Sequence, residues 1–451
     1  MNKTRRALIL FTRVPEPGKT KTRLQPTLSA EECVKLHTAI LKDVAAACGT
    51  VNADLFVCFT GPDRAPASFS ALFPEGTAFF PQAGEGLGVR MERALRDVLE
   101  QGYRSALLFG SDVPEIEAED LNSAFRILEQ RDAVLGPTTD GGYWLIGLNA
   151  PSGAPFDVKE YSTDSVLTNT LDSMKAAGLT VGTVRERSDI DTPEDLNAFR
   201  ERVRKNKALR GSHTAQFARE ALRISVIVPM YNEEKLIGGF LEQLEPFRKD
   251  PTLEFLLADG GSTDRTLERV PDGWTVLQTP KGRACQMNTA AEQSTGDVLF
   301  FLHVDSEVPE DFPEEIREVM GTDRFGCFGI AYRTKDWVMH TNSFYANHVR
   351  LRFQHIAFGD QGIFVDRDLF FKAGKYPELP IMEDLQFSMN LRDMGVCPKL
   401  TKKRIYTSDR RHPEKGAIKQ LISLHQYPEL RKMYREGVPI EEIAKRYEDI
   451  R

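Results

Sequence analysis

Short apolar runs alternate with helical stripes along this chain, and the alternation happens twice. In the first half, residues 7–11, 54–59, 77–80, 105–109 and 133–135 have the length and near-continuous apolarity of buried strands. Residues 30–48, 89–101 and 118–129 carry apolar positions at helical spacing, and a last helix is predicted over 195–207, opened by Thr192-Pro193-Glu194. The pattern restarts at Ile224. Strands are predicted over 224–228, 254–258, 275–278, 298–302 and 328–332, and helices over 234–244, 284–293 and 385–394. From Lys415 the tail reads as helical, with a stripe at Ile418, Leu421, Ile422 and Leu424, followed by a short helix over 440–447. Packing on its own domain is the commoner fate of such a stripe, and contact with a membrane surface is the second reading. Strand and helix in alternation imply βαβ units, so the predicted fold class is α/β, with two tandem Rossmann-like units and mainly parallel sheets.

Between the two patterns lies a polar, basic stretch containing Arg202, Arg204, Lys205, Lys207 and Arg210. It is read as a solvated connector, which gives domains over 1–203 and 222–451 and a linker over 204–221. The formal charge of -7 supplies no basic field, so nucleic acid is not an expected partner. Six cysteines lie far apart with no CxxC pair, as in a reduced, cytoplasmic protein. The basic start is followed by too short an apolar run for a signal peptide, and no stretch approaches the ~20 apolar residues of a membrane span.

Each half delivers an aspartate from the end of an apolar strand: Asp112 in Ser111-Asp112-Val113-Pro114, and Asp305 in His303-Val304-Asp305. An acid at the carboxyl end of a parallel strand is where nucleotide and metal chemistry sits in open α/β folds. In the second half, the strand ending at Pro229 leads into Tyr231, Asn232 and Glu233, a crevice lip with Asn232 as a helix N-cap. Asp259 opens a Gly-Gly turn and suits hydrogen bonds from a base or ribose. Lys281 and Arg283 precede a helix and suit a diphosphate. His303 and Asp305 suit a divalent ion bridging two phosphates, and Glu383-Asp384 suits proton removal from an attacking hydroxyl.

In the first half, Lys19, Lys21 and Arg23 converge in a loop shaped by Pro15, Pro17 and Gly18, a phosphate cradle without Walker spacing. A solvated surface turn is the plainer alternative for this loop. Gly86 and Arg90 belong to a glycine-rich turn entering a helix, suited to a base or ribose, and Asp140-Gly141-Gly142 forms a tight turn. Asp112 and Asp191 are candidates to share a metal over a polyphosphate, with helix capping an equal alternative for Asp191.

The motifs PMYNE (229–233), DGGSTD (259–264), HVD (303–305), FGDQG (358–362) and Glu383-Asp384 resemble family 2 inverting glycosyltransferases of the GT-A fold, over residues 224 to about 412. GRACQMN, FLHVDSEVP, FGDQG and TSDRR resemble the subgroup associated with arsenosugar biosynthesis, in a broad group that includes carotenoid glycosyltransferases. The resemblance implies that Asp259 reads the nucleobase in a pocket lined by Pro229, Tyr231 and Glu233. It implies that Lys281 and Arg283 face the diphosphate, that Arg410 and Arg411 close over it, and that Asp305 coordinates Mg²⁺ or Mn²⁺. Asp384 is then the general base with Glu383 beside it, and Gly359, Asp360 and Gln361 lie on the acceptor side. His303 stands where the family more usually has an aspartate, which leaves a weaker site for a hard cation.

PEPGKTKTRL (15–24), GEGLGVRM (84–91), GSDVPE (110–115), GPTTDGGYWLIG (136–147) and DIDTPEDL (189–196) resemble a GT-A-like family linked to arsenosugar genes and distantly similar to phospholactate and molybdopterin guanylyltransferases. The two resemblances together imply a fusion. One domain binds or makes a nucleotide-activated sugar, and the other transfers a sugar from a nucleotide-diphospho-sugar to a small-molecule or lipid-like hydroxyl. A pyrophosphate-releasing nucleotidyltransferase and a non-catalytic binding module are the alternatives for the first domain.

Overall fold

Apolar runs of this kind bury both faces of a strand, and they build two separate sheets. The computed structural model describes residues 5–157, 161, 165–333, 337–407, 432–434 and 436–448, and the chain divides into two units between Ala218 and Arg219. The first sheet contains β1 (Arg6–Arg13), β2 (Asp54–Thr60), β3 (Ala78–Pro81), β4 (Ser105–Gly110), β5 (Ala133–Pro137), β6 (Tyr143–Leu148) and β7 (Val181–Thr183). Its order is β3-β2-β1-β4-β6-β5-β7, and only β6 runs against its neighbours. The second contains β8 (Ile224–Met230), β9 (Leu253–Asp259), β10 (Thr275–Gln278), β11 (Val298–Phe301), β12 (Ser306–Glu307), β13 (Phe325–Ala331), β14 (Ile363–Asp366) and β15 (Lys399–Thr407). Its order is β10-β9-β8-β11-β14-β13-β15-β12, which repeats the first sheet strand for strand and adds β12 at one edge. Both units are therefore α/β with mainly parallel sheets, as the alternation predicts.

Period two is visible once the faces are separated. Ile224, Val226, Val228, Val298 and Phe300 enter one core layer, whereas Ile227, Leu299 and Phe301 enter the other. Helices cover both sides, so neither face can be polar and the runs read as continuous.

Three expectations need correction. The helix expected over 234–244 begins only at Ile237. Asn232 is not its N-cap: it adopts a left-handed conformation (φ 55°), and its side-chain oxygen accepts from Thr263 N at 2.8 Å. The basic stretch at 204–221 is not a solvated connector. It carries the end of the helix Pro193–Lys205 and a helix His213–Glu220, whose first N–H groups donate to Asp43 (2.8 Å each) while Ala215, Phe217 and Ala218 are buried. The tail ends in a helix Ile440–Glu448, but the stripe from Ile418 to Leu424, with Arg410 and Arg411, lies outside the described residues. Among the described residues, no helix is long and apolar enough to cross a membrane.

Candidate functional site

In the first unit, β1 and β4 are adjacent and parallel, so the loops leaving them meet at one sheet end. They line a cleft of about 400 Å³ with Arg13, Lys19, Arg23, His37, Arg90, Asp112 and Asp191 on its wall. The predicted phosphate loop is there, but its members do different things. Lys19 is 70% exposed beside Glu16 (2.7 Å), and Arg23 is 67% exposed. Lys21 instead takes a left-handed conformation (φ 50°) that turns its side chain inward, where only 5% stays exposed. Its ammonium contacts Asp112 Oδ1, Asp191 Oδ1 (2.9 Å) and the carbonyl of Ile190 (2.6 Å).

Thr192 and Asp195 form the reciprocal cap of the helix Pro193–Lys205, so Asp191 is not needed as a cap and turns to Lys21. Asp112 and Asp191, expected to share a metal, both face the Lys21 ammonium. Burial works to lower the Lys21 pKa, but both carboxylates outweigh it and the net shift is upward. Burial likewise raises Asp112, and Lys21, then His37, reverse the sign.

Arg90 reaches Gly86 O (3.1 Å) and Gln82 Oε1 (3.3 Å) on the cleft wall. Gly86, Asp140, Gly141 and Gly142 are not among the residues lining it. Asp140 accepts from Thr138 Oγ1 and from Gly142 N (3.1 Å), closing its own turn. Burial, followed by the charges of Asp191 and Asp140, pushes the nearby Asp189 up to about 6.

His37 is not legible as a site residue from its sequence context. It sits on the apolar stripe of the helix Ala30–Gly49, where a lone histidine reads as core. Its Nε2 lies 3.2 Å from the Arg13 carbonyl and 3.3 Å from Thr12 Oγ1, and its buried Nδ1 has no partner. Burial pushes it down to about 4, below the ~6.5 of an unfolded histidine. The folded chain thus resists a proton that the unfolded chain accepts, so stability is full above pH ~6.5 and lost as pH falls toward about 4. The loss is of order 3 kcal/mol at most. Replacing His37 by Gln should flatten this dependence; an unchanged slope of melting temperature between pH 7 and 4.5 would exclude His37 as its source.

In the second unit, the parallel pair β8 and β11 ends beside the segments 231–234 and 302–305. Asp305 is half-buried on the turn after β11. His303, two residues earlier, reaches toward the FGDQG loop. A Cβ placed on Gly359 would fall 3.0 Å from His303 Cε1, 3.1 Å from its Nε2 and 3.5 Å from Asp384 Oδ2. A side chain at 359 would crowd the His303 ring, which would have to give by a few tenths of an ångström. The Gly359 N–H donates to Asp384 Oδ2 (2.8 Å), and the Leu385 N–H to Oδ1 (2.7 Å), which fixes the carboxylate plane.

The neighbouring acid is different. Glu383 is 4% exposed and faces Arg283 at 3.3 Å. Burial and then the Asp384 charge push its carboxyl up, and Arg283 opposes them. Asp384 is the half-buried member of the pair, so the two predicted catalytic acids divide into one held inside and one presented. Lys281 lies 4.4 Å over the Tyr231 ring, with Nζ 3.2 Å from its hydroxyl, on the exposed rim. Pro229 is half-buried in β8, and the Glu233 N–H donates to Thr266 Oγ1 (2.7 Å).

Two assignments do not fit. Asp259 is fully buried, and its carboxylate accepts from Gly261 N (3.0 Å), Ser262 N (3.1 Å) and Ser262 Oγ (2.6 Å), so it holds its own turn and does not face a base. Gln361 is fully buried as well, accepting from Arg350 (2.6 Å) and the Phe358 N–H (3.2 Å), so it anchors the acceptor-side loop from behind. Arg350, which no local sequence signal singles out, comes from π-helical turns over Tyr345–Gln354 and stacks 4.1 Å over Phe358. Burial lowers its pKa and Asp360 counters that, so Asp360 also serves this anchor.

Among the described residues, no group of three or more His, Cys, Asp or Glu is arranged to hold a metal. The second unit does not need one. A single carboxylate at a strand mouth fits a hard cation whose other ligands are water and substrate phosphates. The first unit does not fit, because Lys21 lies between its two carboxylates.

Different family models match the two units. Residues 43–163 match the model of an uncharacterized protein conserved in bacteria (DUF2064), and residues 225–372 match glycosyl transferase family 2. A glucosyl-3-phosphoglycerate synthase of Mycolicibacterium smegmatis is 29% identical over 116 residues, covering 23% of this chain and 37% of that protein. An undecaprenyl-phosphate 4-deoxy-4-formamido-L-arabinose transferase of Pseudomonas paraeruginosa is 30% identical over 127 residues, covering 25% of this chain and 38% of that protein. The chain thus spans less than half the length of these curated relatives. Among solved structures, a candidate nucleotide-diphospho-sugar transferase of Desulfovibrio desulfuricans is 33% identical, with a TM-score of 0.46, covering 48% of this chain and 95% of that one.

Proposed function

We propose that the second unit transfers a glycosyl group from a nucleoside-diphosphate sugar to an acceptor hydroxyl, with inversion at the anomeric carbon. The observation that carries this reading is the convergence of His303, Gly359 and Asp384 beside the turn after β11, in a unit matched by the family 2 model. Asp384 takes the acceptor proton. The acceptor oxygen bonds to the anomeric carbon as the bond from that carbon to the diphosphate oxygen breaks, and the electron pair leaves with the nucleoside diphosphate. Attack from the face opposite the leaving group inverts the centre. Asp305 would hold Mg²⁺ or Mn²⁺, and that ion, when bound, neutralises charge growing on the leaving diphosphate. Lys281 and Arg283 add positive charge to the rim.

The two curated relatives carry a phosphoglycerate and an undecaprenyl phosphate in their names. The acceptor panel should therefore span small-molecule and lipid-like hydroxyls and polyprenyl phosphates, whose attacking oxygen belongs to the phosphate, with a peripheral membrane contact for the lipids. The sequence resemblance adds arsenic-bearing and carotenoid acceptors. For the first unit we propose binding of a phosphate-bearing ligand, a nucleotide-activated sugar or its precursor, supported by the exposed cations around its cleft. Nucleotidyl transfer there would release pyrophosphate from a nucleoside triphosphate and a sugar phosphate.

A thermal-shift series on the full chain with Mn²⁺ and a panel of nucleoside-diphosphate sugars tests the donor assignment. A ligand at a hundred times its Kd stabilises the folded state by about 2.7 kcal/mol, so one member of the panel should raise Tm by several degrees. No shift with any member would remove the reading.

A further inference from the structure

We infer that in the first unit the Lys21 ammonium takes the place of a divalent cation, so that this unit binds its phosphate-bearing ligand without metal. The Lys21 ammonium is saturated. An ammonium has three N–H donors, and Lys21 has three acceptors: Asp112 Oδ1, Asp191 Oδ1 at 2.9 Å and the Ile190 carbonyl at 2.6 Å. Three backbone and capping features hold this arrangement. Lys21 sits in a left-handed conformation that aims its stem inward. The Ile190 N–H donates to the Asp112 carbonyl (3.0 Å), which ties the strand mouth to the segment carrying Asp191. Thr192 and Asp195 do the capping that would otherwise compete for Asp191.

A Mg²⁺ bound through the same two oxygens that hold Lys21 would sit about 2.1 Å from them, in space the ammonium fills. Moving Lys21 would bare a buried ammonium, and no other described carboxylate cluster offers a metal site. The cations left for a ligand are those on the wall: Arg13, Lys19, Arg23 and Arg90. A phosphate drawn to them would be neutralised by fixed side chains, and Lys21 would keep the two aspartates from repelling it. The ligand class rests on the proposal for this unit above, but the metal question does not.

The test counts Mn²⁺ bound to the full chain by electron paramagnetic resonance of the free ion, in wild type, Asp112→Asn, Lys21→Met and the double variant. Asp112→Asn, nearly isosteric, should leave the count unchanged. Lys21→Met should gain one Mn²⁺, lost again in the double variant. A count that drops by one in Asp112→Asn would overturn the inference, whether or not Lys21→Met folds. In a separate arm with EDTA, inorganic pyrophosphate should bind by calorimetry, at least tenfold more weakly in Arg23→Ala/Arg90→Ala and unchanged in Asp305→Asn. Pyrophosphate binding that requires Mn²⁺ would also overturn it. Absence of pyrophosphate binding under both conditions, with the Mn²⁺ counts as expected, would instead reject the ligand class.

Discussion

Replacing Asp384 by Asn is expected to lower glycosyl transfer by about 10²-fold or more, the usual scale for losing a general base, and to leave donor binding intact. The amide keeps the shape and one oxygen for the Gly359 or Leu385 N–H, so the loop should hold its place. It cannot accept the acceptor proton. The informative control is one residue away. Glu383 is buried against Arg283 and turned from the half-exposed position that Asp384 occupies. Glu383→Gln should therefore change stability and its pH dependence more than turnover. Measuring kcat and donor affinity for both variants separates the two acids, and full transfer by Asp384→Asn would sink the mechanism proposed for this unit.

Asp259→Ala should give the largest loss of stability among these single changes. It strips three partners, two backbone N–H groups and a serine hydroxyl, from a carboxylate with no exposed surface. Hydrogen bonds to a charged group contribute about 1.5–3 kcal/mol each, and donors left unpaired in a buried place cost more. Partial relaxation of the turn toward water brings the expected loss to about 3–4 kcal/mol. A calorimetric scan should show the transition of the second unit fall while that of the first stays. Asp259→Asn keeps one acceptor oxygen and should lose less. If Asp259 instead read the nucleobase, Asn would raise the donor KM at nearly unchanged Tm, and that pattern would overturn its role as the anchor of the 259–262 turn.

The parts of the fold that are legible in the sequence are those with strong local signals. β1, β4, β8 and β11 lie in apolar runs bounded by turn residues, and the helix Ala30–Gly49 starts with the Ser29 and Glu32 capping box. β6, β14 and β15 escape a reading of the sequence, for different reasons. β6 carries an apolar run like those of the legible strands, but it follows directly on a Gly-Gly turn and is interrupted by Gly147. β14 has an apolar run of only three residues before Asp366, against five from Val298 to Leu302. β15, KLTKKRIYT, buries only Thr401 and Ile405 and reads as charged loop. At the site, residue type marks Asp112, Asp384 and the lysine loop, because they fall at strand ends and in the loops beside them, where ligands bind in open α/β sheets. It does not tell which charges face a ligand. Lys21 is occupied by tertiary partners that no local spacing shows, Asp259 is taken up by its own turn at Gly261 and Ser262, and Arg350 and His37 lie on stripes that look like core.

The identical neighbour order of the two sheets has a consequence for how this chain can diversify. Each half rests on the same layered frame, so the residues that distinguish their chemistry sit in the segments between strands: Lys21 after β1, Asp112 after β4 and Asp191 after β7 in one copy, and His303 after β11 with Gly359 before β14 and Asp384 after it in the other. A lysine seated between two aspartates in one copy, and a glycine threaded past a histidine in the other, are alterations of such rims alone. Selection can thus retune either copy's ligand without restacking a single hydrophobic layer.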